Sequence, residues 1–168
     1  MLRLRPLRPG DEAAFRAGQE QMAAEDFLFG FALEPDTPWD EYLRTQAGWP
    51  CGANLPERWV PNTFLVADVD GQIVGRVSIR HELTDFLREE GGHIGYGVLP
   101  AYRRRGYATE ILRQALVIAR SVGVGRVLVT CDDDNLGSIK AIEACGGKLD
   151  SVRPAEPGSA AIRRYWID

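Results

Sequence analysis

One stretch constrains this chain more than any other. Between residues 93 and 122 the side-chain period changes from two to 3.6. His93-Ile-Gly-Tyr-Gly-Val-Leu99 reads as a strand, and Pro100 to Arg105 turns the chain. From Gly106 to Val122 the residues Ala108, Leu112, Ala115, Leu116, Ala119 and Val122 form an apolar helical stripe, with Glu110, Arg113, Gln114 and Arg120 outside it. The turn between them reads Arg103-Arg104-Arg105-Gly106-Tyr107-Ala108. A helix start offers unpaired backbone N–H groups and the positive end of the helix dipole, which together favour an anion. Gly106 lets an anion come close to the backbone, and arginines grip phosphate oxygens through two donors at once. The physical reading is a phosphate or pyrophosphate cradle. It is neither a Walker loop nor a dinucleotide fingerprint, because Gly-Lys-Ser/Thr and Gly-x-Gly-x-x-Gly are both missing.

The rest of the chain supplies elements to pack around that unit. Leu2 to Leu7 alternates Leu and Arg as a first strand. Asp11 is a candidate N-cap for a helix carrying Phe15, Gly18, Met22 and Phe27 on one face. Thr37-Pro38 opens a second helix, Thr37 as cap and Pro38 in the first position, with Trp39, Leu43 and Ala47 on one side. Gly48 to Pro61 is irregular and reads as a lid, an acceptor wall or a packed connector. Asp70-Gly71 joins strands Thr63–Val69 and Ile73–Arg80 in a hairpin. In the second of these, Ile73, Gly75, Val77 and Ile79 oppose Val74, Arg76, Ser78 and Arg80, which suits a sheet with one wetter face. Arg126 to Cys131 is an apolar central strand, Ser138 to Cys145 a helix capped by Asn135, and strands follow near 148–153 and 161–167. The expectation is one α/β or α+β domain over residues 1–168, a mixed sheet of about seven strands flanked by about four helices.

Composition narrows the function. Twenty basic against twenty-four acidic residues give a net charge of -4, which speaks against a nucleic-acid binder. No stretch approaches the ~20 apolar residues of a membrane span, and the N-terminus lacks a long apolar signal region. A cytoplasmic chain with neither membrane nor nucleic-acid partners is expected. Cys51, Cys131 and Cys145 form no CxxC, so no metal and no disulfide is expected, and the thiols read as reduced and mostly buried. Asp132-Asp133-Asp134 lacks a calcium-loop pattern and reads as a solvated loop or an attractor for a cationic amine.

Arg103-x-x-Gly106-x-Ala108 between a strand and a helix resembles the acyl-CoA pyrophosphate loop of GNAT acyltransferases. Gly95-Tyr-Gly-Val98-Leu-Pro100 is similar to that family's bulged fourth strand, and Asn135-x-x-Ser138 followed by Glu143-x-x-Gly146 to its second cofactor element. The run from His93 through Gly147, with Arg164-Tyr165-Trp166, looks most like poorly characterised bacterial acetyltransferases. The resemblance implies a GNAT-like fold with acetyl-CoA (coenzyme A) as co-substrate, its fourth and fifth strands splayed apart with the pantetheine arm in the gap. It implies that Val98 bonds pantetheine through its backbone, with Asn135 and Ser138 on the pantetheine and thiol side. It implies that Arg103, Arg104, Arg105, Gly106, Tyr107, Ala108 and Thr109 surround the pyrophosphate. The implied reaction is acetyl transfer to a primary amine of a small molecule or peptide by direct attack, and a homodimer is implied by analogy alone.

A free alkyl amine has a pKa of about 10, so attack on a thioester needs a base. His93 ranks first and Glu82 second, with Asp85 beside it; Tyr165 and Trp166 are candidates for the acceptor pocket or for packing. Ile142 stands where the family commonly places a tyrosine that protonates the departing thiolate. That departure leaves a second reading open, a non-catalytic acyl-CoA-binding sensor on the same fold.

Overall fold

The computed structural model describes residues 1–168. In chain order the elements are β1 (Leu2–Arg5), α1 (Glu12–Ala23), α2 (Trp39–Gly48), β2 (Asn62–Val69), β3 (Gln72–Arg80), α3 (Asp85–Glu89), β4 (Ile94–Val98), α4 (Tyr107–Ser121), β5 (Val127–Asp132), α5 (Leu136–Ala144), β6 (Lys148–Arg153) and β7 (Ile162–Ile167). Seven strands form as expected, and, as the family resemblance implies, the fourth and fifth part from one another. Four antiparallel strands run β1-β2-β3-β4, and three run β5-β7-β6. No ladder joins β4 to β5, and the opening between them organises everything functional.

Two cores sit under the strands. The larger is aliphatic: Val77 and Ile79 of β3, Ile94 and Val98 of β4, and Val127 and Val129 of β5 meet Ile111, Leu112, Ala115 and Leu116 of α4 and Ile142 of α5. The smaller is aromatic and joins α1 and α2 to β2 through Phe15, Phe29, Trp39, Tyr42, Trp49 and Phe64. Its rings meet at tilted or edge-on angles, as between Phe15 and Phe64 at 6.0 Å, the arrangement aromatic quadrupoles favour. Arg5 clamps β1 to both neighbours, reaching Asp11 at 2.6 Å and Asp68 at 2.7 Å.

Several local expectations change. Asp11 does occupy the N-cap of α1, but its carboxylate accepts from the Arg8 N–H and from Arg5 rather than from the helix. At α2 the cap is Pro38, while the Thr37 hydroxyl accepts the N–H of Glu34. That helix buries Trp39 and Tyr42, and Ala47 is exposed, because the aromatic core lies on the Tyr42 side. Strand β3 has no wet face: Val74 through Ile79 are all buried, because the segment carrying Phe27, Phe29 and Phe31 covers the Arg76 side. A bulge leaves Val74 as an extra residue in β3 opposite Ala67 and Asp68. Helix α3 was not expected; the Thr84 hydroxyl caps it by accepting the Leu87 N–H. All three cysteines are free, but Cys51 is exposed.

Candidate functional site

The cradle has a defined geometry. Gly106 takes φ +80°, a left-handed conformation that leaves room on every side, and it forms the N-cap of α4. Arg104 is also left-handed, at φ +62°. The first helical bond runs from the Glu110 N–H to the Gly106 carbonyl. The N–H groups of Arg104, Arg105, Gly106, Tyr107, Ala108 and Thr109 therefore have no acceptor in the protein. Six consecutive free donors at a helix start are what a doubly charged pyrophosphate requires. Arg104 and Arg105 are exposed with no acidic partner. Arg103 is engaged elsewhere: Nε donates to the Val98 carbonyl at 3.0 Å, and the guanidinium pairs with Glu25 at 2.6 Å. It ties the loop to β4 and to the end of α1, holding the Glu25 carboxyl below its usual range through that hydrogen bond.

The cradle opens into the gap between β4 and β5. At one end the strands are clasped. The His93 N–H donates to the Leu128 carbonyl at 2.7 Å, and the Leu128 N–H donates to His93 Nδ1 at 2.9 Å. Gly92, at φ +60°, lets the chain pass the Leu128 backbone, where a Cβ would meet the carbonyl oxygen at 2.5 Å. Three residues further on, Tyr96 lies beside Cys131, so the strands leave the clasp in the same direction. Leu99 donates to Val74 and Arg80 donates to His93 across the β3 side. Alternation then turns the backbone groups of Ile94, Tyr96 and Val98 toward the gap.

Tyr96 projects toward α5, with its hydroxyl beside Ser138 and near Cys131 and Cys145. That oxygen is buried and makes no hydrogen bond within the protein. Burial pushes its phenol up to about 12, so it stays protonated and remains a donor. Asn135 caps α5 by accepting the Ser138 N–H at 3.0 Å.

On the opposite face of β3 lies a cleft of about 670 Å³, bordered by Phe31, Trp59, Asn62, Ser78, Arg80 and Phe86 among others. Val77 and Ile79 face α4, so Ser78 and Arg80 face away from it into this cleft. Beneath it Arg76 is 3% exposed and donates to the carbonyls of Leu28, Phe29 and Gly95. Its guanidinium sits 4.5 Å from the Phe27 ring centroid and 4.7 Å from that of Phe31. Burial without an acidic partner lowers Arg76 to about 9.

A strand-loop-helix run of unpaired N–H groups beside a splayed strand pair is thus present, and the sequence profile of the Acetyltransferase (GNAT) domain matches residues 1–148. The chain belongs to the GNAT acetyltransferase family. Solved structures share the fold at low identity. An N-acetyltransferase from Staphylococcus aureus Mu50 superposes with TM-score 0.68 at 16% identity, covering 100% of this chain and 98% of its own. Salmonella typhimurium yncA, solved with its cofactor acetyl-CoA, gives 0.66 at 16%, covering 99% and 93%. Mycobacterium smegmatis RimJ, in complex with CoA-disulfide, gives 0.66 at 20%, covering 99% and 81%. None of the curated proteins matches the chain.

The GNAT frame sorts the expected residues. Val98 and Arg104 to Thr109 surround the cradle, with Asn135 and Ser138 across the gap on α5. His93 lies at the closed end of the gap, and its Nδ1 is already an acceptor. Burial, then the charges of Arg88 and Arg80, lower His93 to about 4, so it is a weak base at neutral pH. Glu82 is exposed on the loop after β3, and Asp85 borders the cleft. Tyr165 is fully buried and donates to Glu143, and Trp166 meets Arg126 at 5.0 Å on the outer sheet. Neither borders the cleft, because β7 lies beyond β5 rather than beside β3. Asp133 pairs with Arg163, while burial, and then the charges of Asp134 and Glu90, raise the Asp132 carboxyl. Two residues escaped the sequence reading. Tyr96 was hidden as one letter of a glycine-rich strand, and Arg80 as one charge of an alternating one.

Proposed function

We propose that this chain transfers the acetyl group of acetyl-CoA to a primary amine by direct attack in a ternary complex. The observation that carries the reading is the run of six acceptor-free N–H groups ending at Thr109, set beside an open inter-strand gap. Acetyl-CoA, when bound, supplies the activated acyl group as a thioester. The amides of Arg104 to Thr109 hold its pyrophosphate, with Arg104 and Arg105 neutralising the charge. The gap-facing N–H of Val98 and the free side-chain N–H groups of Asn135 serve the pantetheine arm.

Tyr96 takes the place that Ile142 leaves empty. Ile142 is fully buried in the aliphatic core and has no proton to give. A phenol at about 12 is too weak an acid to ionise readily, but it donates a hydrogen bond to a developing thiolate, with Ser138 beside it. His93 positions rather than reacts: its two bonds to Leu128 fix where the strands part. Glu82 makes no ion pair, so of the two expected bases it is the one whose basic atoms are free.

The buried Ile142 also favours the second reading, an acyl-CoA-binding sensor. Release of CoA thiol is measured for the purified protein with acetyl-CoA and a broad panel of amines. Turnover well above the amine-free hydrolysis rate is expected. Tight acetyl-CoA binding with no turnover on any amine would favour the sensor.

A further inference from the structure

The cleft behind β3 contains a cation that the fold leaves unneutralised. Arg80 ends β3 at the closed end of the gap, and its guanidinium lies against β4, 3.4 Å from where a side chain at Gly95 would begin. Only Nη1 is engaged, donating to the carbonyls of Gly91 at 2.9 Å and Gly92 at 3.2 Å. Nε and Nη2 have no partner in the protein and are not sealed from solvent. No carboxylate pairs with Arg80, whereas Arg5, Arg103, Arg153 and Arg163 all hold one.

Two neighbours reinforce this. Ser78 lies on the same face two residues earlier and borders the cleft, and its hydroxyl makes no hydrogen bond in the protein. Arg76, the next residue on that face, is a second cation without an acidic partner. The acidic residues at the cleft, Glu57 and Asp85, are exposed at its rim, where water screens them. Phe31, Trp59 and Phe86 add apolar surface. A half-buried cation without an acidic partner is costly, and a bound anion offsets that cost.

We infer that the acceptor is an amine that also carries a carboxylate, an amino acid with an apolar body, and that Arg80 and Ser78 receive the carboxylate. This rests on the acetyl-transfer reading for the amine but not for the carboxylate. Arg80 stands beside β4 at the clasp, so a carboxylate held there leaves the amine end of the molecule to extend along β4 toward the open gap. The guanidinium donates through its free Nε and Nη2 edge, a two-donor match to a carboxylate. A neutral amide at the same place gives up the charge-assisted part of both bonds.

The test is calorimetric binding to the full chain saturated with CoA, which needs no turnover. Phenylalanine is compared with phenylalaninamide, which keeps the amine and the ring and mimics a peptide N-terminus. Phenylalanine is expected to bind at least about tenfold more tightly. Arg80→Met is expected to erase that preference and Arg80→Lys to restore part of it. Ser78→Ala, which disturbs no hydrogen bond within the protein, is expected to reduce it several-fold. Equal affinity for the pair, tighter binding of the amide, or binding of neither at millimolar concentration overturns the inference. A CoA-release assay on the same samples reports on the parent function separately. Transfer without a carboxylate preference removes this inference alone. Carboxylate-selective binding without transfer supports it and removes the parent reading.

Discussion

The two faces of β4 present polar groups of different kinds. On the α4 and α5 face, the donors are backbone N–H groups from one contiguous loop, positioned by two left-handed residues and a helix start. On the α1 and α2 face, the polar groups are side chains from β2, β3 and the connectors, brought together over an aromatic core. A backbone site tolerates sequence change as long as the loop keeps its shape. A side-chain site changes with each substitution. One fold can thus keep a fixed donor site and vary its acceptor.

The sharpest way to break this contrast is to remove the one side chain of the backbone face to which the chemical step is assigned. Tyr96→Phe deletes the buried hydroxyl beside Ser138 and nothing else. Turnover is expected to fall about a hundredfold, or ~3 kcal/mol, with acetyl-CoA affinity unchanged. A split between kcat and affinity, measured by steady-state kinetics and calorimetry, distinguishes this from a packing defect.

Next comes the support of the side-chain face. Arg76→Met fills the space but leaves the carbonyls of Leu28, Phe29 and Gly95 without their donor. Three charge-assisted bonds outweigh the relief of burying a cation, so a loss of about 3 kcal/mol in stability is expected by urea unfolding. Acetyl-CoA binding, served by the other face, is expected to survive in the folded fraction.

The clasp joins both faces and gives a pH signature. His93 falls from an ordinary 6.5 to about 4 in the folded chain. Between those values the unfolded chain binds more protons than the folded one, so stability is full above about pH 6.5 and is lost as pH falls toward 4. From pH 7 to pH 5 this one group removes on the order of 2 kcal/mol. His93→Asn keeps an acceptor near the Leu128 N–H and does not titrate. Unfolding of the two proteins at both pH values is expected to show a shallower pH dependence in the variant.

The smallest effect is expected at α5. Asn135→Ala removes the cap on the Ser138 N–H, about 1 kcal/mol. Asn135→Asp keeps the cap but loses the side-chain N–H donors offered to pantetheine. Comparing melting temperature with acetyl-CoA affinity for the two separates capping from ligand contact.

What the sequence disclosed follows the same division. The cradle was readable because its requirements are local: a strand, a turn, Gly106, then a 3.6-residue stripe. Strands β6 and β7 and the Asp70-Gly71 hairpin were readable for the same reason. The splitting of the sheet followed only from the family resemblance and not from any local pattern, because the clasp at its closed end depends on His93 meeting Leu128, 35 residues away in the chain. The buried face of β3 was misread because the segment that covers it, around Phe27 and Phe29, is distant in sequence. The loop from Gly48 to Pro61 divides the two expectations made for it: Trp49 is fully buried in the aromatic core, and Trp59 borders the cleft. Helix α3 is too short for periodicity to show, and only Thr84 marks its start.

The central claim is that six backbone donors at the head of α4 hold the pyrophosphate of acetyl-CoA. Calorimetric titration with acetyl-CoA tests it on the wild type, Gly106→Asn and Gly106→Glu, with thermal melts to establish folding. Asparagine accepts the left-handed conformation and adds no charge, while glutamate sets an anion at the cradle. Near-native affinity in the first and a loss of at least about a hundredfold in a still-folded second is the predicted result. Equal binding by Gly106→Glu and the wild type would contradict the account.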